Sequence, residues 1–138
     1  MLQVEIQGSD KLDAAIARLK REVPGKVNKA LNGIAIEIES ESKRSINSHQ
    51  SVGETYGRHV ASAPGSPPNA DTGNLANNIT VQEIPKGYDV GSRSGAPYGY
   101  YLEFGTSKIE PRPWLAPAFK KVASRWEKII ERTIKRGR

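Results

Sequence analysis

Cysteine is absent from the 138 residues, which excludes disulfides and thiolate metal sites and suits a reducing compartment. Histidine is scarce. His49 and His59 stand ten positions apart with no cysteine or carboxylate cluster beside them, a spacing that builds no metal site, so no metal and no cofactor is expected. Long apolar runs are missing: nothing approaches the roughly 20 residues of a membrane-spanning helix. The opening MLQVEIQGSDK has no signal-peptide pattern, so the chain reads as soluble and unexported, with no membrane partner. Catalytic signatures are missing as well. No GxSxG elbow precedes a helix, no GxxxxGK[ST] loop is present and no HExxH pair occurs, so an enzyme is not expected.

What is present is one domain's worth of chain, 36% hydrophobic and 26% charged. That balance is polar for a self-sufficient fold and leaves room for a long mobile loop or for burial against partner subunits. The net charge of +6 is not spread evenly. Residues 1–118 carry 13 basic and 13 acidic side chains, whereas residues 119–138 carry 8 basic and 2 acidic, so the whole excess lies at the C-terminal end. Such a basic helix could neutralise phosphates, giving a DNA-binding accessory protein as an alternative function. A solvated face with a cationic last turn is the commoner reason for the pattern.

Taken in order, Leu2, Val4 and Ile6 alternate with polar residues as in a half-buried strand. Leu12, Ala15, Ile16, Leu19 and Val23 follow helical spacing before Pro24 interrupts. A second, longer helix over 26–46 places Val27, Ala30, Leu31, Ile34, Ala35 and Ile38 on one stripe. Glu37, Glu39, Glu41, Lys43 and Arg44 are expected on its outer surface. Residues 47–73 have almost no large aliphatic side chain and carry Pro64, Pro67 and Pro68 within five positions, which predicts a long irregular loop. Thr72 can cap a short helical turn through Leu75. A hairpin should follow, with strands over 78–84 and 88–92 about a turn at Pro85, Lys86 and Gly87. One long amphipathic helix, starting near Trp114, should close the chain with Leu115, Phe119, Val122, Trp126, Ile129, Ile130 and Thr133 on one side. The sum is α+β: long N-terminal and C-terminal amphipathic helices on a small antiparallel sheet.

The chain is organised around 97–119, PYGYYLEFGTSKIEPRPWLAPAF, which holds six of the nine aromatic residues and four of the nine prolines. Pro97 can open a short helix over 98–104 and Gly105 can close it. Tyr98 and Leu102 share one side of that helix, Tyr100 and Phe104 a neighbouring one. Pro111 and Pro113 then keep the chain extended up to Trp114. Glu103, a lone carboxylate among aromatics, reads as a capping or ion-pair partner. Trp114 either pins the last helix to its own core or anchors a neighbour.

This run resembles the C-terminal signature of tailed-bacteriophage neck proteins of the HK97 head–tail joining type, with an aromatic pair, an EFGT box and a PRPFL-type anchor. Upstream, SAPGSPPNADTGNLANNI is similar to that family's proline-rich loop and DTG-x-L box, so the resemblance spans nearly the whole chain. Carried over, Asp71, Thr72, Gly73 and Leu75 form the DTG box, Glu103, Phe104, Gly105 and Thr106 the EFGT box, and Arg112, Pro113, Trp114 and Leu115 the anchor. Trp114 replaces the usual phenylalanine, and Asn74 stands where a basic residue is frequent. The resemblance implies a structural virion protein of the neck, assembled in the host cytoplasm as a homo-oligomeric ring, hexameric or dodecameric. Its implied partners are the connector and tail-completion proteins, with DNA only passing through the lumen. Tyr98, Tyr101, Glu103, Phe104, Gly105, Thr106, Arg112, Pro113 and Trp114 are then the candidate subunit or partner interface.

Overall fold

The computed structural model describes residues 26–48, 51–85 and 87–135, with five further positions at 13, 14, 17, 18 and 21 that are helical and exposed. The expected strand at Leu2, Val4 and Ile6, the apolar face of the first helix, and His49 lie outside the described residues.

Helix α1 (Val27–Asn47) is the spine. Ala30, Ile34, Ala35 and Ile38 are buried, as their helical spacing predicts, and Ile46 extends the buried stripe to the last turn. Two short strands follow, β1 (Thr55–Tyr56) and β2 (His59–Val60), paired antiparallel about Gly57. The 47–73 stretch is therefore not irregular throughout. It carries this hairpin and is tied down beyond it, with Ala61, Ser62 and Asn69 buried and the Ala70 amide donating to Ile46 O at 3.1 Å. Backbone and side-chain hydrogen bonds replace the missing aliphatic contacts: Asn69 Nδ2 donates to both Ser51 O and Val60 O.

Helix α2 (Asn74–Asn78) leads directly into β3 (Ile79–Ile84), which pairs antiparallel with β4 (Gly87–Ser92) in the register Ile79 to Ser92 through Ile84 to Gly87. The two hairpins form separate two-stranded sheets. Helix α3 (Gly99–Phe104), α4 (Ala116–Ala123) and α5 (Trp126–Lys135) complete the order. The core joins Ile34, Ile38 and Ile46 of α1 to Leu75, Ile79, Trp114, Leu115, Val122, Ile129 and Ile130.

The C-terminal end bears out one expectation and corrects another. The helix begins at Ala116, two residues after Trp114, with Pro117 inside its first turn, where a missing amide hydrogen is harmless. It is two helices rather than one. Ser124 Oγ donates to Lys121 O at 2.6 Å and the Arg125 amide to Val122 O at 3.0 Å, a tight turn that interrupts the i→i−4 ladder. The break keeps Val122, Ile129 and Ile130 all buried in the core.

A further correction concerns α1. Glu41 is 4% exposed rather than superficial, and Glu37 is half-buried. Glu41 falls seven residues after Ile34 and three after Ile38, so it lies on the stripe itself. Helices α4 and α5 cross that stripe and supply the countercharges: Lys121 Nζ lies 2.6 Å from Glu41, Arg125 Nη2 lies 3.5 Å from Glu41 and 3.3 Å from Glu37, and Arg44 Nη1 is 2.7 Å from Glu41. Burial pushes the Glu41 carboxyl up, but Lys121, Arg44 and Arg125 together outweigh it and hold its pKa below the ordinary 4.5. A carboxylate lowered on folding stabilises fully above its unfolded pKa, and that contribution disappears as pH falls through the folded value. Stability should therefore decline below about pH 4.5. Glu41→Gln should flatten that acid limb and cost roughly 1–2 kcal/mol at neutral pH. Thermal unfolding of both proteins across the acid range measures this; an unchanged acid limb would refute the assignment.

Candidate functional site: an aromatic helix beside a cleft

The two boxes meet around α3. Its residues fall on three faces set by the 100° turn per residue. Gly99 and Glu103 point inward and are buried. Tyr98 and Leu102 line a cleft. Tyr100 and Phe104 stand outward, about half exposed, with ring centroids 5.0 Å apart, and Tyr101 packs edge-on to Tyr100 at 5.8 Å.

The inward face is a lock between α3 and α4. The Glu103 carboxylate accepts the Trp114 amide at 2.7 Å, the Leu115 amide at 2.9 Å and the Ala116 amide at 3.0 Å. Helix α4 has no side-chain cap of its own, so a residue from another helix caps it, with a negative charge at its positive end. Trp114 is 0% exposed, and its indole Nε1 donates to Gly99 O at 2.9 Å. Trp114 thus sits in the chain's own core. Of the two readings open in the sequence, pinning the last helix is the one observed, and neither Trp114 nor Glu103 is on the surface as an interface anchor. Glu103 is a capping partner, as read.

The connecting loop is held from both sides. The Arg112 amide donates to Leu102 O at 2.6 Å, and the Thr106 amide donates to Ile109 O at 2.9 Å. Thr106 Oγ1 in turn accepts the Lys108 and Ile109 amides. Gly105 closes α3 at φ +72°, a conformation that side-chain-bearing residues avoid. A Cβ there would lie 2.8 Å from Pro111 Cδ and 2.9 Å from Ile109 O, so the loop is folded directly onto that glycine. Gly105 is a structural hinge of the box, half-buried, while Thr106 is exposed and Pro113 half-buried.

The DTG box lies across the cleft from α3. Gly73, at φ +79°, precedes α2, and Thr72 Oγ1 accepts the Asn74 amide at 3.3 Å, so the predicted cap is displaced by one residue but its hydroxyl still serves. Asn74 joins the two boxes: its Nδ2 donates to Gly95 O at 2.9 Å and to Tyr98 Oη at 3.0 Å. Neutral hydrogen bonds thus fill the position where the resemblance leads one to expect a basic residue. Leu75 is buried beneath, and Asp71 is exposed, 3.9 Å from His59 Nδ1.

The cleft between these parts has a volume of about 710 Å³. Leu75, Leu102 and Ile109 give it apolar walls, and Arg112, Tyr98 and Asn74 bring polar groups to it. Arg112 Nε donates to Ser62 O at 3.2 Å, which holds the guanidinium against the 51–70 segment, and the Gly65 amide donates to Pro111 O at 2.9 Å. Sequence reasoning missed the cleft because its floor comes from 59–62 and 68–70, a segment whose composition reads as loop. The nearest signal was the tandem of small and proline residues that lets a backbone pack so closely.

At the basic C-terminal end, Lys121 and Arg125 are engaged by Glu37 and Glu41, so part of the excess charge is internal pairing. Among the described residues no group of His, Asp and Glu could hold a metal ion, and no helix is long and apolar enough to cross a membrane.

The described residues thus form a small α+β fold with a locked loop, an outward aromatic pair and an open cleft. The chain belongs to the family described as "Bacteriophage HK97-gp10, putative tail-component", whose model it matches over residues 10–105. It is a structural phage protein of the virion-associated kind. The match takes in the DTG box and stops at Gly105; Thr106 and residues 112–115 lie beyond it, a shorter span than the resemblance alone implied. No curated protein and no solved structure matches the chain.

Proposed function

We propose that the protein is a neck-type joining subunit that assembles in the host cytoplasm into a homo-oligomeric ring between the head connector and the tail-completion proteins, with DNA passing through the lumen. The observation that carries this reading is the outward pair Tyr100 and Phe104, each 51% exposed, with Tyr101 beside it at 52%, on a helix locked to the core by Glu103. Large aromatic side chains on a rigid support lose little freedom on docking and supply much of the contact energy in protein interfaces. Exposed aromatics of this size cost solubility in an isolated chain, so a covering partner explains them.

Replacing Tyr100 and Phe104 together by Ser should leave far-ultraviolet circular dichroism and melting nearly unchanged, since exposed positions contribute little to stability. Each lost contact is worth about 1–2 kcal/mol, so subunit association should weaken by roughly 30- to 1,000-fold. Light scattering of purified protein, and counts of tailed particles when the variant is the only copy supplied, test this. Normal numbers of tailed particles would sink the reading.

A further inference from the structure

We infer that one flank of α5, carrying Lys128, Arg132 and Lys135, is the surface that meets the phosphates of DNA. This rests on the ring reading, in which DNA passes through the lumen, and names the side chains that face it. The cations of the fold divide into two kinds. Lys43, Arg44, Lys121 and Arg125 are paired with Glu37, Glu39 and Glu41. Lys128, Arg132 and Lys135 are exposed and form no ion pair among the described residues. They stand at i, i+4 and i+7, about 6 and 4.5 Å apart along the axis and within an arc of about 60°. By helical phase this arc lies on the Ile129 side of the outward surface, whereas Glu127 and Glu131 lie on the Ile130 side. The sequence continues the same sign, with five basic and one acidic side chain over residues 128–138.

The character of the flank selects the partner. A protein interface is built around an apolar centre. None of the exposed large apolar side chains among the described residues lies on α4 or α5. A phosphate backbone asks for no such centre, only for cations spaced along a line. Position supports the same division. Helix α5 runs back along α1: Lys121 meets Glu41, Arg125 meets Glu37, and a Cβ at Gly33 would lie 3.5 Å from Ile129 Cγ2. Arg132 and Lys135 therefore come level with the first turns of α1, where Lys29 is also exposed. The cleft lined by Tyr98 and Leu102 of the α3 segment includes Ile46 in the last turn of α1. About 25 Å of helix separates Lys29 from Ile46, so phosphate contact and the aromatic contact use different ends of the subunit.

The test is fluorescence anisotropy of a labelled random-sequence duplex with the full-length protein at about 50 and 200 mM salt. Replacing Lys128, Arg132 and Lys135 together by Gln keeps good helix formers at exposed positions, so circular dichroism should not change. At the lower salt this variant should bind at least tenfold more weakly than the parent. Its slope of log affinity against log salt should be shallower by about 2.7, roughly 0.9 per lost phosphate contact. Arg58→Gln, Arg93→Gln and Lys108→Gln, combined as a control with the same change in net charge elsewhere, should bind nearly as the parent does. A parent that does not bind the duplex, an α5 variant that keeps the parent's affinity and slope, or a control that loses as much would overturn the inference. Light scattering keeps the two readings apart. Subunit association should be the same in parent and α5 variant; a parent that forms rings without binding DNA overturns the phosphate contact alone, and one that binds DNA through this flank without forming rings overturns the ring reading alone.

Discussion

Trp114→Ala is expected to lower the stability of the protein by about 3–5 kcal/mol, the range for emptying a fully buried aromatic site. The indole is 0% exposed among Leu75, Ile79, Leu115 and other core residues, so its removal leaves a cavity that neighbours on three different elements cannot all close. It also strands Gly99 O, which accepts the indole N–H at 2.9 Å in a buried setting. Trp114→Phe separates the two effects. It keeps most of the apolar volume and loses the hydrogen bond, so a cost of about 1–2 kcal/mol is expected. Urea unfolding followed by circular dichroism gives both values. An alanine variant within about 1 kcal/mol of the parent would show that the indole is not the core anchor the geometry makes it.

Glu103→Ala should be of similar severity, about 3–4 kcal/mol, because three buried or part-buried amides at the start of α4 lose their only side-chain acceptor together. Glu103→Gln is the informative companion. Oε2 serves the Trp114 and Leu115 amides and Oε1 serves Ala116, so a carboxamide can satisfy one set while presenting its own N–H₂ to the other. An intermediate loss of roughly 1–2 kcal/mol is expected, and denaturation midpoints with unchanged slopes would report it. If glutamine behaves like the parent, the carboxylate's second oxygen does not matter and the three-way cap is wrong. Hydrogen exchange of the Trp114 to Ala116 amides supplies an independent reading, since the cap predicts that all three exchange faster in the alanine variant and only the set facing the carboxamide N–H₂ in the glutamine variant.

The two variants have consequences beyond stability. Glu103 and Trp114 tie α3 to α4 from opposite ends of one loop, so the outward pair Tyr100 and Phe104 is presented on a support that cannot rotate freely. On the proposed ring reading, loss of either tie should impair assembly through the orientation of α3, whereas the Tyr100 and Phe104 substitutions should remove the proposed contact itself. Stability measurements tell the two causes apart.

Much of the architecture was legible because local rules and tertiary demand agreed. The α1 stripe, the strand positions on either side of Pro85, the Gly105 stop and the helical phase of α3 all follow from period, capping chemistry and backbone permissiveness, none of which needs a distant partner. The departures have the opposite character. Glu41 reads as a surface residue until α4 and α5 bring Lys121 and Arg125 over it. The 51–70 segment reads as loop because backbone hydrogen bonds and packed prolines carry no hydrophobic pattern. The break at Ser124 and Arg125 leaves no proline or glycine to mark it, because a serine hydroxyl and a tight backbone turn suffice.

By itself the sequence determined the α+β class, two sides of α3 and the joining of aromatic, glycine and proline residues into one anchor segment, since these depend on spacing and on φ preferences along a single stretch. It could not determine which members of that segment reach the surface. Trp114 and Glu103 became internal, and Tyr100 and Phe104 external, only when α4 packed back against α3. That choice depends on contacts between residues eleven to fifteen positions apart, and on Arg112 reaching Ser62 fifty positions away, which no local propensity encodes.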